Sequence, residues 1–203
     1  MLTLILGGAR SGKSDLAERL AAASGRPVLF VATMEPGDDE TRARIATHQA
    51  GRPATWRTVE EPLDVHGVLR SLARNGDFVI IDCVTLWVTN LLLARTSDID
   101  DIAPDASRSM IHEILACAVN LAECCAAFDG EVAVVSNEVG AGVVPPYPLG
   151  RVFRDALGTA NRTLAEHSDR AYYLVAGLAL ELKSLGARTL DTFGTTSDDP
   201  SRR

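Results

Sequence analysis

Eight residues near the start of the chain form a pattern that is typical of phosphate binding. They follow a short apolar segment and match Gly-x-x-x-x-Gly-Lys-Ser: Gly7, Gly8, Ala9, Arg10, Ser11, Gly12, Lys13 and Ser14. Glycines allow backbone N–H groups to converge on phosphate oxygens, and a helix beginning at Lys13 would direct the positive end of its dipole at them. Lys13 would contact the β- and γ-phosphates as a point charge. The pattern therefore predicts a loop that binds a nucleoside triphosphate.

The same motif implies a metal ion. Ser14 supplies a hydroxyl at the position that holds Mg²⁺ against the phosphates in loops of this kind. Asp82 ends the apolar run 78–81, which is where such proteins place a carboxylate near the ion. Asp82 would also serve as the N-cap of a helix beginning near Thr85, and the two roles are compatible. We therefore predict Ser14 and Asp82 as the Mg²⁺ site.

A second cluster of polar side chains follows the strand that ends at Ala32. If a helix covers residues 39–50, then Glu40, Arg44 and His48 recur every four residues and share one face. A neutral imidazole can attack phosphorus and form a phosphoramidate, which divides one difficult transfer into two easier ones. A lone helical histidine is more often a solvated surface residue. The spacing alone therefore leaves both interpretations of His48 open.

The elements that must position these residues alternate between short apolar runs and helical patterns, as in a parallel sheet flanked by helices. Strands are predicted at residues 2–6, 28–32, 78–82, 131–136 and 171–175, each largely apolar on both faces. Helices are predicted at residues 13–24, 39–50, 62–73, 85–94, 107–127 and 153–168. The segments 96–105 and 139–150 are rich in Asp, Gly and Pro and are predicted to be loops. The predicted fold class is α/β with a mostly parallel sheet.

The length of 203 residues favours one sizeable domain. We expect a single nucleotide-binding domain over residues 1–185. Beyond it the composition turns to Ser, Thr, Asp, Pro and Arg, which predicts a partly flexible tail over residues 186–203.

Composition and charge exclude several classes of protein. The chain is 46 % hydrophobic and 23 % charged, as in ordinary globular proteins, and its net charge of −7 argues against a nucleic-acid partner. Its apolar runs are shorter than the roughly 18 residues that cross a bilayer, so we expect no membrane span. The four cysteines lack metal-ligand spacing and are expected to be reduced, mostly buried thiols, which suits a cytoplasmic location: Cys83, Cys117, Cys124 and Cys125.

A phosphate-binding loop alone does not choose among the classes that share it. A switch GTPase should carry a base-reading Asn-Lys-x-Asp segment, which the sequence lacks. A motor ATPase often has a basic face, which an acidic chain does not supply. These differences favour a kinase or transferase that acts on a small acceptor.

Longer segments of the sequence carry a resemblance to a known family. They are residues 7–14, Asp38-Asp39-Glu40 with Arg44 and His48, Trp56-Arg57-Thr58 with Glu60, and residues 82–92, 136–140 and 143–145. Together they resemble the bifunctional adenosylcobinamide kinase and adenosylcobinamide-phosphate guanylyltransferase family of cobalamin biosynthesis. Shorter pieces at 151–161 and 175–183 agree. The match is nearly full length, and only the tail after Lys183 lies outside it.

The resemblance implies two reactions on one scaffold. The aminopropanol hydroxyl of adenosylcobinamide is phosphorylated with ATP or GTP, and GMP is then transferred from GTP to adenosylcobinamide phosphate. The products are adenosylcobinamide-GDP and pyrophosphate. The family carries the GMP on a histidine, and His48 alone matches that position, since His66, His112 and His167 do not. His48 and Lys13 are therefore the predicted catalytic residues.

The resemblance also implies the nucleotide contacts. Besides the residues 7–14, these are Thr33, Met34, Glu35, Gln49, Ala50, Gly51, Arg52, Glu60 and Asp82. Members of the family are similar to the RecA-like P-loop class, and at least one type assembles as a trimer. We therefore expect a homo-oligomer.

Two other functions stay open at this point. One is a P-loop kinase for another small alcohol, in which His48 is structural and no covalent adduct forms. The other is a nucleotide-binding regulatory or assembly subunit that transfers nothing to cobinamide.

Overall fold

The computed structural model describes residues 1–35, 52–96 and 100–192. These residues form seven strands, five α-helices and a terminal 3₁₀ turn at Leu190–Thr192. The strands are β1 (Leu2–Gly7), β2 (Val28–Ala32), β3 (Arg57–Glu60), β4 (Phe78–Asp82), β5 (Glu131–Asn137), β6 (Arg170–Val175) and β7 (Leu178–Glu181). The α-helices are α1 (Lys13–Ser24), α2 (Val65–Ser71), α3 (Val84–Leu93), α4 (Pro104–Ala127) and α5 (Pro148–His167).

The strands form one sheet in the order β3-β2-β4-β5-β1-β6-β7. Every neighbouring pair is parallel except β6 and β7, which are antiparallel. The prediction of an α/β fold with a mostly parallel sheet flanked by helices is confirmed. All five predicted strands are present, to within one residue at each end.

The prediction of five strands was nevertheless incomplete, because two edge strands were missed. β3 has only four residues, alternates between half-buried and exposed positions, and therefore lacks the apolar run of a central strand. β7 is formed by a tight hairpin, in which Val175 pairs with Leu178. The two residues between them, Ala176 and Gly177, have φ values of 50° and 81°, as a two-residue hairpin turn requires.

Helix α1 has the predicted bounds, whereas the other described helices differ from prediction at their ends. Helices α4 and α5 begin earlier than predicted, at Pro104 and Pro148, because proline is accommodated in the first turn of a helix. The predicted loops at 96–105 and 139–150 are correspondingly shorter. Helix α2 is shorter than predicted, since Asp64 caps it by accepting a hydrogen bond from the Gly67 N–H. The predicted helix 39–50 and residues 193–203 of the predicted tail lie outside the described residues.

The sheet is covered on both faces. On one face, side chains such as Leu4, Val31, Ile81 and Val134 pack with helices α2 to α5. On the other face, alternate residues such as Ile5 and Phe30 pack against Ala17 and Ala21 of α1. This alternation is what a strand with both faces buried requires.

Helix α4 is the one described helix that is long and apolar enough to cross a bilayer. Its Met110, Ile114, Ala118 and Leu121 are buried in the core, and it packs along α5. A core helix meets the same test of length and composition, so we assign α4 to the core of the domain.

Candidate nucleotide site

The carboxyl ends of the parallel strands bring most of the predicted site residues to one edge of the sheet. Ala32 pairs with Glu60 on one side and with Asp82 on the other, and Gly7 pairs with Asn137. The segments that follow β1, β2 and β4 therefore emerge side by side. Ligands of open α/β sheets bind at this edge.

The predicted phosphate-binding loop follows β1 and ends at the first turn of α1. A Cβ atom on Gly7 would lie 2.5 Å from the Leu174 carbonyl oxygen and 2.7 Å from Ser11 Oγ, so a side chain is excluded there. Gly12 adopts a left-handed conformation with φ 95°, and Arg10 does so with φ 56°. These turns give the loop the tight curvature that a cradle for phosphate oxygens requires.

The Lys13 side chain lies against the loop. Its Nζ donates a hydrogen bond of 2.7 Å to the Gly8 carbonyl oxygen, and the residue is only 8 % exposed. Burial lowers the pKa of Lys13 from its ordinary value, and this effect is opposed by the nearby Cys83 and by the carboxylate of Asp82. A buried ammonium held by a single carbonyl is well suited to accept an anionic phosphate.

The side chains of Ser14 and Asp82 carry a hydroxyl and a carboxylate, which are oxygen donors of the kind that Mg²⁺ prefers. Within the described residues, no cluster of three or more His, Cys, Asp or Glu side chains could hold a metal ion by itself. Mg²⁺ commonly needs only one or two protein ligands, because substrate phosphates and water complete its shell. One hydroxyl and one carboxylate therefore fit the predicted site. The interpretation of Asp82 as an N-cap is wrong, since Cys83 occupies the N-cap position of α3.

The segment after β2 is held by hydrogen bonds to β4 and α3. The Thr33 hydroxyl donates to the Cys83 carbonyl oxygen and accepts from the Cys83 N–H, both at 2.8 Å. Asn90 Nδ2 donates to the Thr33 carbonyl oxygen at 2.8 Å. The side chains of Thr33 and Asn90 thus position the backbone at this edge. Met34 and Glu35 follow Thr33, and Glu35 is exposed.

Arg52 is the most distinctive cation in the described part of the site. Its guanidinium lies over the Phe30 ring, with Cζ 3.4 Å from the ring centroid. The Nε and Nη1 atoms are buried and have no hydrogen-bond partner among the described residues. Burial lowers the pKa of Arg52, and the carboxylates of Glu18, Asp82 and Glu60 oppose that effect. Buried donors without acceptors are costly, so this arrangement favours an anionic ligand.

We predict that Phe30→Leu raises the KM for nucleotide about three- to tenfold while costing less than about 1.5 kcal/mol of stability. Leucine keeps the position apolar, but it removes the aromatic face on which the guanidinium rests. Initial-rate kinetics and thermal unfolding measure the two effects. Phe78→Leu is the matched control, because Phe78 packs in the same core cluster. Equal KM changes in both variants would contradict the role of the ring.

Three large side chains within the segments that resemble the family make structural contacts. Arg57 pairs with Asp77, which lies next to the start of β4 at the opposite edge of the sheet. Trp87 is fully buried, and its Nε1 donates to the Leu63 carbonyl oxygen at 2.7 Å. Trp56 packs, partly buried, on the α1 side of the sheet. Both tryptophans are therefore packing residues.

The cysteine next to Asp82 carries a protonated thiol. Burial, together with the Asp82 carboxylate, raises the pKa of the Cys83 thiol to about 11, so it is protonated near neutral pH. All four cysteines are free thiols, as predicted, but only Cys125 is fully buried and the other three are partly exposed.

The end of β5 lies at the site, which the sequence did not predict. This strand lies between β1 and β4, so its last residues fall between the phosphate-binding loop and Asp82. The Glu138 N–H donates to the Gly7 carbonyl oxygen at 3.1 Å, and the Asn137 N–H donates to Thr85 Oγ1 at 2.8 Å. Asn161 bonds to this turn through the Asn137 carbonyl oxygen and to Ser136. The strand order, which a single sequence does not reveal, is what identifies this position.

The remaining predicted site residues are His48, Gln49, Ala50 and Gly51. All four lie outside the described residues.

Comparison with known proteins decides the family. The family model described as cobinamide kinase / cobinamide phosphate guanyltransferase matches residues 3–182. The chain belongs to this family. Membership in the cobinamide kinase / cobinamide phosphate guanyltransferase family confirms the resemblance seen in the sequence, and it confirms the predicted class of enzyme, a transferase of cobalamin biosynthesis.

Relatives within the family cover almost the whole chain. The sequence is 47 % identical over 183 residues to the bifunctional adenosylcobalamin biosynthesis protein CobP of Pseudomonas aeruginosa, with 90 % of this chain and 98 % of that protein covered. It is 39 % identical over 183 residues to the bifunctional adenosylcobalamin biosynthesis protein CobU of Escherichia coli, with 90 % and 100 % covered. Among solved structures, the RadB recombinase is 16 % identical with a TM-score of 0.45, covering 85 % of this chain and 73 % of the recombinase.

Proposed function

We propose that the chain phosphorylates adenosylcobinamide and then transfers GMP from GTP to adenosylcobinamide phosphate, giving adenosylcobinamide-GDP and pyrophosphate. The family match over residues 3–182 is the observation that carries this proposal. The phosphate-binding loop, the buried Lys13 and the unpaired donors of Arg52 support it, because they lie where a nucleoside triphosphate would bind.

In the proposed mechanism, the GTP phosphates bind to the backbone N–H groups of residues 7–14. Lys13 stabilises negative charge on the phosphate chain, and Arg52 stabilises charge at the other side of the same edge. The nucleotide contacts of Thr33, Met34, Glu35, Gln49, Ala50, Gly51 and Glu60 belong to this proposal. Thr33 contributes by positioning the backbone at this edge, since its hydroxyl is hydrogen-bonded to the backbone of Cys83.

Covalent transfer is assigned to His48. A neutral imidazole nitrogen forms a bond to the α-phosphorus of GTP, the bond to the β-phosphate oxygen breaks, and pyrophosphate leaves. A phosphate oxygen of adenosylcobinamide phosphate then attacks the same phosphorus and releases the imidazole. Retention of the GMP group on the protein between the two steps is the testable feature.

Ser14 and Asp82 are proposed to hold Mg²⁺, which when bound would neutralise negative charge on the phosphates. ATP or GTP would serve the kinase step at the same loop.

We also propose a cytoplasmic homo-oligomer. The apolar surface of strand β7 supports self-association, since Leu178 is 75 % exposed and Leu180 is 52 % exposed on an edge strand of the sheet.

A coupled assay tests the function. The protein is incubated with GTP and either adenosylcobinamide or adenosylcobinamide phosphate, and corrinoid products are separated by chromatography. Formation of adenosylcobinamide-GDP from both acceptors is expected. Formation of the product from the phosphorylated acceptor alone would contradict the proposed kinase activity. Nucleotide hydrolysis without any corrinoid product would contradict the proposal and favour a regulatory subunit.

A further inference from the structure

An apolar cavity lies between α3 and α5, beside the nucleotide edge of the sheet. Its volume is about 210 Å³. It is lined by Thr89, Leu92, Leu93, Tyr147, Leu149, Gly150 and Phe153. The lining is almost entirely apolar, and none of these side chains carries a charge. We call this cavity, together with Val143 and Val144 of the adjoining loop, the α3–α5 groove.

The rim of the groove exposes large apolar side chains. Leu93 is 50 % exposed and Tyr147 is 56 % exposed, while Val143 and Val144 in the adjoining loop are 95 % and 55 % exposed. The Tyr147 ring is packed closely, because a Cβ atom on Gly150 would lie 2.4 Å from Tyr147 Cε2. A cluster of exposed apolar residues next to a cavity indicates a surface that another molecule covers.

The groove is continuous with the nucleotide site through one loop. This loop begins at Glu138, whose N–H donates to the Gly7 carbonyl oxygen, and it ends at Tyr147 in the cavity wall. Helix α3 makes the same connection from the other side, since Thr85 in its first turn accepts from the Asn137 N–H and Thr89 lines the cavity. A molecule in the groove would therefore have one end near the phosphate-binding loop.

Two arginines add positive charge to this loop. Arg154 donates to the Gly140 carbonyl oxygen at 3.0 Å, and Arg151 donates to the carbonyl oxygens of Pro145 and Pro146 at 3.2 and 2.7 Å. They fix the shape of the loop between the groove and the phosphates. Their charge also suits an acceptor that carries a phosphate.

We propose that the α3–α5 groove binds one edge of the corrin macrocycle of the acceptor, with the phosphate-bearing side chain of the acceptor directed toward the loop at residues 7–14. The inference rests on the proposed function, which supplies the corrinoid as acceptor. Methyl groups on the corrin periphery suit an uncharged apolar wall, and the continuity of the groove with the nucleotide edge places the acceptor phosphate on the side of the phosphate-binding loop. A second copy of the chain on the same surface is the competing occupant.

The test is equilibrium dialysis of adenosylcobinamide phosphate against the full chain, in the dark and without nucleotide, with the corrinoid measured by its visible absorbance. The double variant Leu93→Ser/Tyr147→Ser is expected to weaken corrinoid binding at least about tenfold, because two apolar contacts are lost. Leu93→Trp, which fills the cavity mouth, is a second variant that should weaken binding similarly. Leu72→Ser is the matched control, since Leu72 is 44 % exposed on another part of the surface, and it should stay within about twofold of wild type.

GTP binding and sedimentation velocity are measured on the same proteins. Weaker corrinoid binding, with GTP affinity and sedimentation unchanged, supports the groove as the acceptor site. Wild-type corrinoid affinity in the groove variants would overturn the inference while leaving the proposed function intact. A change in sedimentation that accompanies the loss of binding would instead identify the groove as a contact between copies of the chain. If wild type binds GTP but no corrinoid, the proposed function itself fails.

Discussion

Replacing Lys13 with methionine is expected to lower the rates of both the kinase step and the guanylyl transfer by about 100- to 1,000-fold. The lysine ammonium is nearly buried and lies against the loop, so it stabilises charge that develops on the phosphates in a site with little water. Methionine has a similar length and no charge. Steady-state kinetics with GTP and each acceptor measure the effect.

Lys183→Met is the control for this variant, since Lys183 is the other lysine of the chain and donates to the Ser168 carbonyl oxygen away from the loop. It should change the rates by less than about twofold in the same assays. Lys13→Arg is expected to restore little, because the larger guanidinium does not fit a position that is 8 % exposed. Near-normal rates in Lys13→Met would refute the assigned role of the phosphate-binding loop.

Replacing His48 with alanine is expected to abolish guanylyl transfer, with a loss of at least about 1,000-fold, and to retain the kinase step within about tenfold. The kinase step needs no protein nucleophile, whereas guanylyl transfer passes through the imidazole. Incubation with GTP labelled at the α-phosphate, followed by denaturation, measures the covalent adduct directly. The variant should retain no label.

His112→Ala is the matched control, because His112 is an exposed histidine on α4. It should retain the full amount of label. Label in denatured His48→Ala would remove His48 as the nucleophile, and loss of label in both variants would point to a defect in folding or nucleotide binding.

Much of the site could be predicted because its chemistry lies in short, local patterns. The glycines, the lysine and the serine of residues 7–14 are contiguous, and an apolar run precedes them, so strand, loop and helix follow from neighbouring residues. Asp82 was found for the same reason, at the end of an apolar strand. The five central strands were predicted because burial on both faces makes them continuously apolar.

What could not be predicted depends on contacts between residues far apart in the chain. The sequence does not show that β5 lies between β1 and β4. This order brings Asn137 and Glu138 next to the phosphate-binding loop. The Arg52 guanidinium lies over the ring of Phe30 in β2. The apolar run around Phe30 predicts only a core position for this residue. Strands β3 and β7 were missed because an edge strand needs no continuous apolar run.

The contacts of Arg151 and Arg154 could not be predicted for the same reason. Both guanidiniums donate to backbone carbonyl oxygens of the loop at residues 140–146. A single sequence does not show that this loop folds back over the start of α5 and supplies the acceptors.

The most direct measurement is the location of the GMP group on the wild-type protein after incubation with GTP alone. Trypsin cleaves after Arg44 and Arg57 but not between Arg52 and Pro53, so His48 falls in the peptide 45–57, as its single histidine. Mass spectrometry at neutral to alkaline pH, which preserves a phosphoramidate, should find GMP on that peptide and pyrophosphate released in equal amount. GMP on any other peptide, or pyrophosphate release without an adduct, would contradict the account.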